Sequence, residues 1–344
     1  MAGIAGKIEE LRRYDREDMF SVIKKFPKQV KEACEIGKKC PTFKKSPKIT
    51  KIAVLGMGGS AIGGDLIRSY AAAAPGADHL QILINRNYTL PAFVDKDTHV
   101  IASSYSGNTE ETLAAFDEAL KRTKHILAIS SGGELTERAE AKKLPVIQIP
   151  GGIQPRAALG YSFFPLMYML MRSGAFDQKA VKQTEAAIDE IQSLLDEKSK
   201  EYSKLTDQNP AIKLASKLHG KIPAIYSSID RLDTVNLRWR GQIQENAKNA
   251  VYGNYLPEMN HNEINAWSHP DSIRKSGIPV FLTDPDDHPK VAKRFEALEL
   301  ILKEKGYKIL KPESTGKHLL TRMFDLIYLA DWTSYYLALL NRVN

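Results

Sequence analysis

The chain has 344 residues, 43% of them hydrophobic and 26% charged, so two domains that each bury a core are expected, and a disordered or fibrous chain is excluded. The formal net charge of +8 suits an anionic partner, but the basic residues are scattered over helical faces, as at Lys121, Arg122 and Lys124. They form no basic arm or aromatic-interleaved stripe, so nucleic acid is not the expected partner.

The N-terminal segment MAGIAGKIEELRRYDRED has no apolar signal core, and Cys34 and Cys40 have no histidine neighbours. A reduced, cytoplasmic protein without a zinc site is expected. Residues 1–48 read as a helical extension whose apolar positions Ile8, Leu11, Met19, Val22, Ile23 and Phe26 share a face, ending in the polar CPTFKKSPK. From Ile52 the pattern changes to short apolar runs: IAVLG, LQILINR, HVIASSYS, HILAISS and PVIQIP. Runs without polar alternation are the mark of strands buried on both faces of a parallel sheet, so residues 49–176 read as an α/β domain of about five strands. No stretch supplies the roughly 20 apolar residues of a membrane helix. The most apolar one, residues 157–171, is broken by Gly160, Ser162 and Pro165. A helical linker (177–208) follows, and a second α/β domain (209–344) carries IPAIYSS, IPVFLTD and YKILKPES as strands and residues 317–340 as a helix packed on the second sheet. The repetition of the strand pattern suggests a duplication.

The first strand runs into Gly56-Met-Gly58-Gly59-Ser60-Ala61-Ile-Gly63-Gly64-Asp65, where glycines let backbone amides and a helix N-terminus face an anion. The same glycines fit a dinucleotide fingerprint, but the second strand ends in Asn85, Arg86 and Asn87 where an NAD site needs an acid; Arg86 leaves only NADP open. The third strand ends in Ser103-Ser104-Tyr105-Ser106-Gly107-Asn108-Thr109-Glu110-Glu111-Thr112, again before a helix. Hydroxyls of Ser104, Ser106 and Thr109 could surround a phosphate there, although Ser106 or Asn108 could instead cap the helix. Two such turns at the carboxyl edge of one sheet favour a phosphate site. Ser130-Ser131-Gly132-Gly133 is a weaker third turn.

The pair GMGGSAIGGD and SSYSGNTEET resembles the sugar-isomerase (SIS) domain, and PGGIQPRAALGY, QENAKNAVYGNYLPEMNHNEINAW and STGKHLLTRMFDLIYLADW resemble the bifunctional phosphoglucose/phosphomannose isomerases, over about residues 50–340. The resemblance implies two SIS domains, each a mainly parallel five-stranded sheet sandwiched by helices. It also implies an aldose-ketose isomerase of carbohydrate metabolism (glycolysis and gluconeogenesis). Its substrates would be glucose 6-phosphate, mannose 6-phosphate and fructose 6-phosphate, used without cofactor or metal. Phosphate would bind at Gly58, Gly59, Ser60, Ser104, Ser106 and Thr109.

Interconverting these sugars requires ring opening, removal of a carbon-bound proton, an enediolate, and return of the proton to the neighbouring carbon. A carboxylate suits the double transfer if partial burial raises its pKa. Glu245 matches the family's base, where its spacing alone would suggest a surface pair with Lys248. His261 matches the family histidine for ring opening, often contributed by the partner subunit, which implies a homodimer with shared sites. Arg156 matches the arginine that stabilises the enediolate. Glu263 could orient His261 or face solvent; His269, His288 and His318 receive no catalytic role. Family members continue past YLALL with a short helix bearing an active-site lysine. This sequence ends at Asn341-Arg342-Val343-Asn344, so the chain is a shortened form, Arg342 or another cation substitutes, or ring opening is altered.

Two other readings use the same phosphate turns. A non-catalytic SIS-type regulator would need a DNA-binding helix-turn-helix, which residues 1–48 do not resemble. An amidotransferase module would need an N-terminal cysteine nucleophile.

Overall fold

The computed structural model describes residues 3–43 and 48–344; part of the CPTFKKSPK segment, residues 44–47, lies outside them. The chain divides into two compact units, one of Lys25–Ala186 and one combining Met1–Lys24 with Ala187–Asn344. The opening helices α1 (Ile4–Leu11), α2 (Met19–Lys24) and α3 (Phe26–Lys39) are thereby shared between the units.

The first-sheet unit contains β1 (Lys51–Leu55), α4 (Gly58–Ala73), β2 (Gln81–Asn85), β3 (His99–Ser104), α5 (Glu110–Arg122), β4 (Ile126–Ser130), α6 (Gly133–Ala141), β5 (Val146–Gln148) and α7 (Leu159–Arg172). Its five strands are all parallel, in the order β2-β1-β3-β4-β5, as the five apolar runs predict. Every residue of β3 and β4 is buried, which is why neither shows polar alternation. Val100, Ala102 and Ala128 pack with Ala115 and Phe116 of α5 in one core cluster. Gly63 lets α4 and α7 approach closely: a Cβ there would stand 2.6 Å from the Ser162 carbonyl. Thus the later glycines of the GMGGSAIGGD run lie within a packed helix.

Helix α8 (Gln178–Tyr202) crosses the division between the units. The second-sheet unit continues with α9 (Pro210–Leu218), β6 (Ile222–Ser228), α10 (Asp233–Ala247), β7 (Tyr252–Leu256), α11 (Ser272–Ser276), β8 (Gly277–Leu282), α12 (Pro289–Glu304) and α13 (Leu319–Asn341). Its sheet has three parallel strands, β7-β6-β8, where five were expected. YKILKPES contributes a single parallel bridge, Leu310 to Val280, because Pro312 has no N–H with which to extend a ladder. The order nonetheless repeats that of the first sheet: the first strand lies between the next two, and Leu310 stands where β4 does.

Helix α13 was expected on the second sheet and packs instead against α9 and α10, with α1 and α2 also on it. It is buried continuously from Leu320 to Leu340, and a helix apolar all round needs cover on every side, which one sheet face cannot give. Polar pairs fix its contact with α10: Gln242 Nε2 donates to Asp331 Oδ1 at 2.6 Å, Arg238 to the same oxygen at 3.2 Å, and Asn246 Nδ2 to Ser334 Oγ at 3.0 Å.

Candidate functional site

The first turn opens at the carboxyl end of β1. Helix α4 begins at Gly58, which is exposed with φ +48°, and its N-cap, Met57, provides no side-chain hydrogen bond. The Ser60 N–H donates to the Met57 carbonyl at 2.9 Å, which leaves the N–H groups of Gly58 and Gly59 for an anion. A Cβ on Gly59 would lie 2.4 Å from the Pro155 carbonyl and 3.1 Å from the Arg156 nitrogen, so this glycine lets the 3-10 turn Pro155–Ala157 rest on the start of α4. Arg156, half-buried, thus stands beside the anion turn.

The second turn is tied to the first. Ser60 Oγ accepts the Tyr105 N–H at 2.8 Å, and Ser103 Oγ donates to the Ser60 carbonyl at 2.8 Å. Ser104 is fully buried; its Oγ lies 3.0 Å from Thr109 Oγ1 and accepts the Gly107 N–H at 3.1 Å, so it shapes the turn from within. Ser106 is exposed, with Oγ accepting the Asn108 N–H at 3.2 Å, and Thr109 is half-buried. The N-cap of α5, Thr109, also lacks a side-chain cap bond, so a second helix start faces the same edge uncapped.

The third turn is structural. Gly107 O accepts the Leu135 N–H at 2.9 Å and Asn108 Oδ1 accepts the Glu134 N–H at 3.0 Å, which occupies the first amides of α6. Asn108 therefore caps α6 and not α5. Gly107 has φ +75°, and a Cβ there would stand 1.8 Å from the Gly132 carbonyl, so only glycine lets these turns interlock. Arg86, the residue that left NADP open, forms an ion pair with buried Asp65 of α4 through two hydrogen bonds. Tyr105 had no sequence signal. It binds Ser60 through its N–H, Ser131 Oγ through its carbonyl at 2.6 Å, and the Ile153 N–H through its hydroxyl at 3.2 Å, which anchors the segment leading to Arg156. Burial pushes its phenol pKa up.

In the second-sheet unit Glu245 lies in the last turn of α10 and is exposed, so its own unit does not supply the expected partial burial. The surface pair with Lys248 does not form: Lys248 is left-handed, φ 52°, and its Nζ donates to the Glu245 carbonyl oxygen at 2.5 Å. The Glu245 carboxylate has no hydrogen bond or ion pair among the described residues. Asn341 Nδ2 donates to the Ala247 carbonyl at 2.9 Å, which brings the neighbouring Arg342 to the end of α10.

His261 is exposed in a 3-10 turn, Glu258–His261, after β7. Glu263 does not orient it: its carboxylate accepts the Tyr226 hydroxyl at 2.5 Å and Asn254 Nδ2 at 2.7 Å. Burial and the Glu263 carboxylate drive the Tyr226 phenol pKa far up, and Trp267 Nε1 donates to that hydroxyl at 2.9 Å, holding the loop in place. Glu245 and His261 stand at opposite ends of the five-residue strand β7. A strand of that length spans about 17 Å at full extension, and Glu245 precedes its amino end while His261 follows its carboxyl end.

At the carboxyl edge of the second sheet the acidic side chains Asp284 and Asp287 are tied to neighbouring residues. Arg322 binds Asp284 through Nε at 2.6 Å and Nη2 at 3.0 Å, Arg231 Nε binds Asp284 Oδ1 at 2.8 Å, and Ser228 Oγ donates to Asp287 Oδ1 at 2.5 Å. Burial alone would raise the Asp284 pKa; the hydrogen bonds and charges of Arg322 and Arg231 outweigh it and hold the carboxyl below its usual range.

Residues 207–344 match the bacterial phospho-glucose isomerase C-terminal SIS domain. The chain is 40% identical to a bifunctional phosphoglucose/phosphomannose isomerase of Caldicellulosiruptor bescii over 94% of this chain and 93% of that one. This chain belongs to that isomerase family. A family member from Aquifex aeolicus is 33% identical over 94% of this chain and 92% of its own. The fold is also that of the C-terminal domain of glucosamine-fructose-6-phosphate aminotransferase from Francisella tularensis, with a TM-score of 0.65, 13% identity, and coverage of 94% of this chain and 96% of the other. The chain is an enzyme, an isomerase of sugar phosphates, and no helix among the described residues is long and apolar enough to cross a membrane.

Proposed function

We propose that the chain interconverts fructose 6-phosphate with glucose 6-phosphate and with mannose 6-phosphate by proton transfer through a cis-enediolate. The observation that carries this reading is the pair of uncapped helix starts, α4 and α5, on one sheet edge beside Arg156. Their amides and the hydroxyls of Ser106 and Thr109 hold the 6-phosphate; Ser60 and Ser104 fix the two turns.

In the direction from the ketose, Glu245 takes a proton from C1 of fructose 6-phosphate and returns it to C2, which yields the aldose. Arg156 faces the enediolate oxygen, where negative charge develops only during reaction, so its stabilisation lowers the barrier without tightening substrate binding equally. His261 protonates the ring oxygen on opening. Separation of Glu245 from His261 by the length of β7 supports a homodimer in which each site takes its histidine from the partner, and a partner covering the exposed Glu245 would supply the partial burial that a base of this kind needs. A soluble, cytoplasmic setting fits these substrates.

The test is an assay that supplies fructose 6-phosphate and measures glucose 6-phosphate and mannose 6-phosphate separately, on this chain and on Glu245→Gln. Both products are expected, with both rates reduced at least a thousandfold in the variant. Bound fructose 6-phosphate with neither product formed would leave a phosphosugar-binding protein and refute the catalytic assignment.

A further inference from the structure

The isomerase reading leaves much of the +8 charge without a role. Part of it is gathered at the amino ends of the strands in the second-sheet unit. A cavity of about 530 Å³ opens there between the end of α9, the start of β8 and the segment leading to Leu310. Its charged lining is Lys217, Lys221, Arg274 and Lys308, and no carboxylate lines it. Lys221 Nζ donates only to the Lys275 carbonyl, and Lys217, Arg274 and Lys308 form no ion pair among the described residues. Nearby lysines do pair where an acid is within reach: Lys303 and Lys311 each lie 2.7 Å from Glu299. The rest of the lining is largely apolar and includes Ile278 and Ile309.

Four cations around one concavity repel each other, and low-dielectric walls focus their potential on whatever enters. A single phosphate monoester, at about two negative charges, balances only half of this set. Contiguous phosphates balance it, and the volume falls within the ordinary range for small-molecule pockets. We propose that this cavity binds a small polyphosphate-bearing anion, with Lys217, Lys221, Arg274 and Lys308 on the phosphates and the Ile278–Ile309 wall against any organic part. The site is separate from the phosphate turns of the first sheet and does not rest on the isomerase reading.

The experiment is a calorimetric titration of the full chain with ATP, with inorganic tripolyphosphate and with orthophosphate. Each is run with saturating fructose 6-phosphate, which keeps the probes off the phosphate turns. One saturable site per chain is expected for ATP and tripolyphosphate, weakening as salt is raised, with orthophosphate at least a hundredfold weaker. Tighter binding of ATP would show that the apolar wall holds the nucleoside; equal binding would show that phosphates suffice. The double substitution Arg274→Glu with Lys308→Glu is expected to weaken both probes at least tenfold. Should that protein fail to fold, Lys217→Gln on the exposed face of α9 is expected to weaken them several-fold. Absence of saturable binding in the presence of fructose 6-phosphate, equal affinity for orthophosphate, or affinities unchanged in a folded variant would overturn the proposal.

Discussion

Ser60 Oγ accepts the main-chain N–H of Tyr105 at 2.8 Å, which joins the turn after β1 to the turn after β3. Because the Tyr105 hydroxyl also accepts the Ile153 N–H at 3.2 Å, the segment leading to Arg156 belongs to the same assembly. Two uncapped helix starts and a guanidinium are held in one place by hydrogen bonds that a ligand does not need to break.

Gly59→Ala tests that assembly. The added Cβ meets backbone at 2.4 Å, so the 3-10 turn bearing Arg156 must shift. We expect KM for fructose 6-phosphate to rise and kcat to fall, by about tenfold together, with a loss of about 1–3 kcal/mol of stability in urea unfolding. Gly241 in α10 is the control. A Cβ there meets nothing within 4 Å, and Gly241→Ala is expected to stabilise by about 0.5–1 kcal/mol.

A pH effect on stability follows from His99, at the start of β3. It is fully buried, stacked on His125 at 4.8 Å, and burial followed by the His125 charge lowers its pKa from 6.5 to about 4. Between these values the unfolded chain carries a proton on this imidazole and the folded chain does not, so stability falls as pH falls from 6.5 to about 4. The loss is at most about 3 kcal/mol. In His99→Phe the part of the slope due to this residue disappears, as urea midpoints at pH 7, 5.5 and 4.5 would show.

Mixing two inactive variants tests the shared site. If His261 acts on the partner's Glu245, a hybrid of Glu245→Gln and His261→Ala subunits contains one intact site, and random mixing restores about a quarter of full activity. No recovery after subunit exchange would place both residues in the site of one chain.

The first sheet was legible because buried parallel strands are written as uninterrupted apolar runs, and all five are where HVIASS, ILAIS and their neighbours indicate. Strand β7 was not legible. Its sequence YGNYL is half polar because it lies at the edge of the sheet, and its order of burial follows no period of two. YKILKPES misled in the opposite direction, since the apolar residues pack while Pro312 ends the pairing after one bridge. At the site, the glycines and hydroxyls of the two turns announced an anion. The division of labour among them did not show, because Ser104 differs from Ser106 only in what it meets in three dimensions, and nothing local says that Asn108 caps α6. Glu263 is the same case: nothing in NHNEINAW says that its partners are Tyr226 and Asn254.

If Glu245 carries a proton between C1 and C2, each aldose phosphate holds at C2 either that proton or one the carboxyl group exchanged with solvent. The most direct measurement is the reaction of fructose 6-phosphate in heavy water, with deuterium at C2 of each aldose phosphate read by NMR. Deuterium is expected at C2 in part of both glucose 6-phosphate and mannose 6-phosphate, the rest keeping the proton taken from C1, and neither product is expected from Glu245→Gln. Products formed at an undiminished rate by the variant would contradict that role.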